Sequence, residues 1–106
     1  MVSFDEFKKL ELKVGEIKEV KDHPNADKLY LISVDLGSEV REVVAGIKPY
    51  YKPEELVGKN VVVVANMEPA NIRGAESKGM ILAAQDESGI CVLTTEKKVK
   101  PGSSVR

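Results

Sequence analysis

Val61-Val62-Val63-Val64-Ala65, then Asn66-Met67-Glu68-Pro69-Ala70-Asn71-Ile72-Arg73-Gly74-Ala75-Glu76-Ser77-Lys78-Gly79, then Met80-Ile81-Leu82-Ala83-Ala84 is the stretch that decides how this chain is read. The two flanks are among its most apolar runs and read as buried strands. The polar segment between them is therefore a long loop pinned at both ends. Such a loop is costly to order in a small domain and is usually functional. It carries the cations Arg73 and Lys78 together with Asn66, Asn71 and Ser77. Gly74 and Gly79 permit backbone conformations and close approaches that a side chain would block. This equipment suits gripping a polar polymer better than packing.

Working outward, Ser3 and Glu6 form a capping box for a short N-terminal helix that carries Phe4 and Phe7. A helix so short must dock on its own barrel or on a second chain. Leu10 to Lys21 reads as a long bent strand whose alternation slips beside Gly15, the mark of a bulge. The turn formers His23 to Asp27 follow. Leu29 to Leu36 and Val40 to Ile47 are the second and third strands, turning at Gly37-Ser38. Tyr50 to Gly58 holds a short helix, with Pro53 in its first turn and Gly58 as its stop. Val61 to Ala65 is the fourth strand. Met80 to Ala84 and Ile90 to Thr94 pair across Asp86 to Gly89.

Three strands, a short helix and then two or three strands is the order of an OB-fold, an all-β, five-stranded Greek-key barrel. The N-terminal helix and a C-terminal extension complete it. The loops between strands one and two, and between four and five, commonly border the oligonucleotide site of this architecture. Here those loops are the two unusual polar segments, His23 to Asp27 and Asn66 to Gly79.

A chain of 106 residues allows one domain, expected over 1–106, and one modest core. Its hydrophobic content of 42% and charged content of 31% are ordinary for a globular protein. No apolar run is long enough to span a bilayer, and Asp5 and Glu6 do not suit a signal peptide. The lone Cys91 forms no internal disulfide, so a reduced, cytoplasmic setting is expected. A net charge of −1 supplies no global basic field. Any polyanion must be held by cations gathered on one face, or by shape and hydrogen bonds. Lys13, Lys18 and Lys21, and the group Lys97, Lys98, Lys100 and Arg106, are two local enrichments that read most simply as solvated surface.

His23 to Leu29, Val44 to Ile47 and Asn66 to Met80 resemble, in that order, the structure-specific tRNA-binding domain. This module occurs free-standing in bacteria, at the C-terminus of many methionyl-tRNA synthetases and in the endothelial-monocyte-activating-polypeptide group. The likeness covers nearly all of the chain. It implies a dimeric OB-fold that binds the outer corner of tRNA without reading an anticodon. It also implies an accessory role, as a separately encoded β subunit beside a methionyl-tRNA synthetase catalytic subunit or as a free-standing tRNA-binding protein. Carried over by position, Asn66, Arg73, Ser77 and Met80 contact RNA, with Lys28 on the facing segment; Lys78, a cation of the same loop, is a further RNA-binding candidate. No cofactor is implied, and the module is not an enzyme by itself. Many members carry lysines where this chain has Glu68 and Asn71, which leaves the long loop neutral: Arg73 and Lys78 are matched by Glu68 and Glu76. A dimer that doubles the contacts offsets that loss, and Phe4 and Phe7 on residues 1–9 are the expected dimerisation element.

Competing readings stand beside these assignments. Arg73 suits phosphate oxygens or a base face, or pairs with Glu68 or Glu76 on the surface. Ser77 donates to RNA or caps a turn. Asn66 touches RNA or holds the loop, Met80 packs under a nucleotide or inside, and Lys28 reaches the groove or is merely solvated. His23 with Asp22 and Asp27 lacks a second soft ligand and makes a poor metal site. It reads instead as part of a turn. Gly74 to Gly79 echoes a phosphate loop, but Met80-Ile81 stands where Lys-Ser or Lys-Thr is required. Relatives of the fold that act as export chaperones supply the alternative of an extended-peptide site in the same groove.

Overall fold

The computed structural model describes residues 1–106. Its frame is β1 (Leu12–Asp22), a strand long enough to serve two partners. From Leu12 to Glu16 it runs antiparallel to β4 (Asn60–Val64); from Glu16 to Asp22 it runs antiparallel to β2 (Tyr30–Asp35). A strand that changes partner must bend, and the pairing register shifts between Ile17 and Glu19, leaving Lys18 as the extra residue. The bulge therefore lies beyond Gly15, where the alternation pattern had placed it. Gly15 has a different task. It faces the interior at a point where Val34 Cγ1 fills the space any Cβ would need.

β3 (Val40–Ala45) pairs with β2, and β7 (Met80–Ile81) pairs with the end of β4, giving the order β3-β2-β1-β4-β7. The outer strands are drawn together where Lys78 N–H donates to Glu42 O (3.0 Å) and Val44 N–H donates to Ser77 Oγ (2.9 Å). The sheet thus curls into a nearly closed antiparallel barrel of the OB type. On β2 the odd and even positions separate as expected: Ile32 and Val34 are fully buried, while Ser33 and Asp35 are half-exposed. They meet Ile17, Val43, Val61 and Val63 in one core. The short helix α2 (Pro53–Leu56) sits between β3 and β4 and drives Leu56 into that core.

Three features depart from the simple reading. The fifth strand is divided: β7 stops at Ile81, and β8 (Ala83–Asp86) leaves to form a separate ribbon with β9 (Gly89–Val92). The reason is competition for the β4 edge. Leu82 N–H still reaches Val62 O (2.9 Å), but beyond it the Thr94 hydroxyl donates to Asn60 O (2.7 Å) and takes the next place. The C-terminal segment also gains a role: Val14 N–H donates to Ser103 O (2.8 Å) and Val105 N–H to Leu12 O (2.9 Å), pairing the part of β1 that β2 has left. Finally, the polar segment after β4 is folded. It holds a hairpin of β5 (Ala70–Ile72) and β6 (Ala75–Ser77).

The N-terminal helix α1 (Phe4–Phe7) has the expected reciprocal cap, with Glu6 N–H donating to Ser3 Oγ and Ser3 N–H donating to Glu6 Oε1, each at 3.1 Å. None of its residues is buried, and Phe4 is 71% exposed. It does not dock into its own core.

Candidate nucleic-acid interface

The β5–β6 hairpin turns through two residues with left-handed backbone, Arg73 (φ 56°) and Gly74 (φ 96°). Two such residues in succession match the twist of a tight hairpin, and glycine adopts that conformation without penalty. Asn71 Oδ1 accepts from Gly74 N–H (3.0 Å) and closes the turn. The hairpin reaches across to the loop between β1 and β2 and is fastened there. His23 is buried; its Nε2 lies 2.9 Å from Ile72 O, and its Nδ1 accepts from Asn25 N–H at 2.9 Å. Arg73 donates from Nη2 to Asn25 O (3.2 Å), and Asn25 Nδ2 donates back to Arg73 O (3.4 Å). The two polar segments singled out in the sequence therefore meet at one rim of the barrel.

The candidate residues divide by what their side chains already do. Arg73 and Lys28 are exposed and have no carboxylate within ion-pair distance, so the alternative pairing of Arg73 with Glu68 or Glu76 is absent. Lys78 is exposed but lies 3.7 Å from Glu76. Met80 stands on β7 and is 49% exposed, so it does not fill the interior. Ser77 turns inward: at 4% exposure it accepts from Val44 N–H and donates to Gly79 O (3.0 Å), a barrel-closing hydroxyl beneath the surface. Asn66 is tied to the N-terminal segment, accepting from Glu11 N–H (2.9 Å) and donating to Lys9 O (2.6 Å). Of the six, Arg73, Lys28, Lys78 and Met80 present free surface; Ser77 and Asn66 hold backbone.

Two residues have roles that the sequence reading did not give them. Asn25, read as bonding backbone amides within its own turn, instead joins the two loops by donating to the Arg73 carbonyl. Arg41 on β3 donates to Glu39 through Nε (2.8 Å) and Nη2 (3.2 Å), and through Nη1 to Ala65 O. That bond from Arg41 holds the Glu39 carboxyl below its ordinary range, and the partnership raises Arg41 further. Arg41, Glu39, Glu68 and Lys78 line a cleft of about 480 Å³ beside the residues 66–69 connector. Its charges balance. Lys48 is likewise paired with Asp22 (3.1 Å).

The other cationic enrichments lie elsewhere. Lys18 and Lys21 pair with Glu16 (3.0 Å) and Glu19 (3.5 Å) on their own strand. Lys97 and Lys98 gather with Lys59 around the start of β4, the end opposite Asn66. As for metal, the two ring nitrogens of His23 are both engaged by backbone groups. No helix is long and apolar enough to cross a membrane.

Comparison with known proteins places this geometry in context. Residues 12–104 match the family model described as "Putative tRNA binding domain". The chain is 60% identical to a methionine–tRNA ligase of Thermococcus kodakarensis over 105 residues, which is 99% of this chain and 14% of that protein. It thus spans about one-seventh of the length of such relatives. Among solved structures, a MetRS related protein from Pyrococcus horikoshii superposes with a TM-score of 0.92 at 36% identity, covering 100% of this chain and 98% of the other. The CsaA chaperone protein of Picrophilus torridus gives a TM-score of 0.93 at 30% identity, with both chains fully covered.

Proposed function

From the premise that the chain belongs to the tRNA-binding domain family, we propose that it binds the outer corner of folded tRNA as an accessory subunit to a methionyl-tRNA synthetase catalytic subunit. The observation that carries the reading is the fastening of the β5–β6 hairpin to the β1–β2 loop, which brings Arg73 to one rim with no carboxylate beside it. A guanidinium so placed offers paired donors to phosphate oxygens. Lys28 on the adjoining loop supplies a second free charge, Lys78 a screened one, and Met80 an apolar surface for a ribose or base. None of these groups reads a base edge, so recognition rests on backbone and shape. Ser77 and Asn66 support the loop from beneath.

Electrostatics bounds the affinity. With two free cations per protomer, the logarithm of the binding constant falls with the logarithm of salt with a slope of about −2. Two protomers on one tRNA double it to about −4. The apolar groove of about 510 Å³ formed by Phe4, Phe7, Leu10, Leu12 and Val105 is the surface we assign to a homodimer. Support for the synthetase partner is the 60% identity to methionine–tRNA ligases, and a cytoplasmic setting follows from that partnership. Titration of folded tRNA against the chain by filter binding tests the reading. Saturable retention at low salt with that shallow slope is expected, and absence of retention overturns it.

One observation favours a second reading, an extended-peptide site of chaperone type: the likeness to the CsaA chaperone protein over both entire chains. Competition between an unfolded peptide and tRNA for the chain separates the two. Peptide binding without tRNA binding would select the second.

A further inference from the structure

We propose that Asn66 is a positioning residue of the homodimer surface: its side-chain amide hangs the N-terminal helix on the end of β4 and so sets where Phe4, Phe7 and Leu10 stand. The proposal rests on the homodimer reading above for its functional consequence. It gives Asn66 an effect on RNA binding that passes through assembly and not through contact.

The ladder between β1 and β4 runs out at Leu12 and Val64. One further step follows, from Ala65 N–H to Glu11 O (2.8 Å). The main chain then turns away into the residues 66–69 connector, while Arg41 Nη1 donates to Ala65 O from β3. Asn66 extends the ladder with its side chain. Oδ1 accepts from Glu11 N–H (2.9 Å), and Nδ2 donates to Lys9 O (2.6 Å). A backbone N–H only donates and a carbonyl only accepts, so these partners fix which way the amide faces. A carboxamide carries the same donor and acceptor as a peptide unit, which is why asparagine suits this place and aspartate does not.

The whole N-terminal segment hangs from this bracket. Residues 1–11 are exposed, and three hydrogen bonds tie them to the barrel: the one from Ala65 and the two made by the Asn66 amide. The bracket encloses Leu10, which lines the apolar groove with Phe4, Phe7, Leu12 and Val105. From Leu10 the order passes directly into the helix, since Leu10 N–H donates to Phe7 O (3.1 Å) and Lys9 N–H to Glu6 O (3.2 Å). A four-residue helix has no stability of its own in water. The place of its phenylalanines relative to the barrel is therefore set by the bracket.

Asn66 itself does not line the groove. Its contribution is preorganisation. A segment already ordered in the free protomer loses less entropy on association, so the bracket raises dimer affinity without adding a contact across the interface.

Sedimentation of the full chain without RNA reads the first consequence. Asn66→Ala loses two bonds in each protomer, all of them open to water, and should raise the dimer dissociation constant about tenfold. In nitrogen-proton spectra the Lys8 and Leu10 amide signals should move toward random-coil positions while those of β2 stay in place. Asn66→Asp keeps the acceptor for Glu11 N–H but sets an oxygen against Lys9 O, and should weaken the dimer as Asn66→Ala does. An unaltered dimer constant in Asn66→Ala, or helix signals that do not move, would overturn the proposal.

Filter binding then separates assembly from contact. With salt raised until tRNA affinity falls in the range where both proteins are dimeric, Asn66→Ala should hold tRNA within about twofold of wild type. At protein concentrations between the two dimer constants it should fall behind by about fivefold. A deficit that persists among dimers would make Asn66 a direct RNA contact and overturn the positioning role. Wild type that sediments as a monomer at every concentration would remove the homodimer reading and this coupling with it, and the Lys8 and Leu10 signals would still decide whether the amide holds the helix. Absence of tRNA binding would instead remove the RNA reading and leave the sedimentation test standing.

Discussion

Arg73 and Asn25 hold each other from opposite loops: the guanidinium donates to the Asn25 carbonyl at 3.2 Å, and the Asn25 amide donates to the Arg73 carbonyl at 3.4 Å. The residue that supplies the rim's cation is therefore also part of the joint that positions it. Arg73 does this at φ 56°, a conformation that costs a non-glycine residue about 1 kcal/mol. Strain at a surface hairpin is maintained when the side chain is needed there.

Substitution separates the two contributions. Arg73→Ala removes the guanidinium but keeps the strained backbone, and should weaken tRNA binding about tenfold or more. Arg73→Gly also removes the guanidinium but relieves the strain, and should melt at or above the wild-type temperature while binding no better than Arg73→Ala. Arg73→Gly binding like wild type would mean that the cation is idle. Thermal melts read beside filter binding check both variants.

Glu68 lines the charge-balanced cleft with Lys78, Arg41 and Glu39. Glu68→Lys turns that cleft positive. Binding should tighten severalfold at low salt, and the salt slope should steepen by about 1. Unchanged affinity together with a dead Arg73→Ala variant would show that the cleft lies off the RNA path.

Ser77 illustrates what the linear pattern could and could not reveal. Its place in a polar loop suggested a surface donor. In three dimensions that loop folds back along β3, and the hydroxyl becomes the link between Val44 and Gly79. The strand order, the capped first helix, the Pro53 helix and the convergence of two polar loops were legible, because period-2 alternation and turn chemistry are local. The β5–β6 hairpin, the division of the fifth strand at Leu82 and the return of the C-terminal segment to β1 were not. Each is settled by competition for a strand edge between residues distant in sequence. Gly15 shows the same limit: a glycine in a strand signalled irregularity, but only the packing shows that Val34 excludes its Cβ. Arg41 was missed because an alternating polar position on a strand does not tell whether a neighbour will pair with it.

Ser77→Ala follows from that position. Removing the hydroxyl strands a buried backbone N–H at Val44 and should cost about 1–3 kcal/mol of stability. At a temperature where both proteins are folded, tRNA affinity should fall less than for Arg73→Ala. A larger binding loss with an unchanged melt would restore Ser77 as a direct RNA contact.

Acid should reach the first helix. The Ser3 backbone amide, and then its hydroxyl, hold the Glu6 carboxyl below its ordinary range. A group whose folded value is depressed stabilises above its unfolded value, and that stabilisation is lost as pH falls through the folded one. The cap should therefore be intact at neutral pH and fray only in acid. Amide exchange at Glu6 and Phe7 followed against pH reads it. Glu6→Gln should weaken the response to acid, and an unaltered response would assign the fraying to another carboxylate.

The same helix carries the test of the dimer. Phe4 is 71% and Phe7 40% exposed on a helix with no buried residue, above a groove that ends at Val105. Apolar surface left open in this way favours a partner, and a second copy brings its own Phe4 and Phe7 to the same place. Deleting residues 1–9 would also strip Asn66 of its bond to Lys9 O and disturb the loop below, so point changes are the cleaner probe. Phe4→Ser with Phe7→Ser should shift sedimentation toward monomer, leave the barrel's melt nearly unchanged and weaken tRNA binding by reducing the contacts per RNA. The salt slope should then fall from about −4 toward about −2. A dimer that persists with both phenylalanines removed would place the interface on another face, and a monomer with undiminished affinity would show that one protomer suffices.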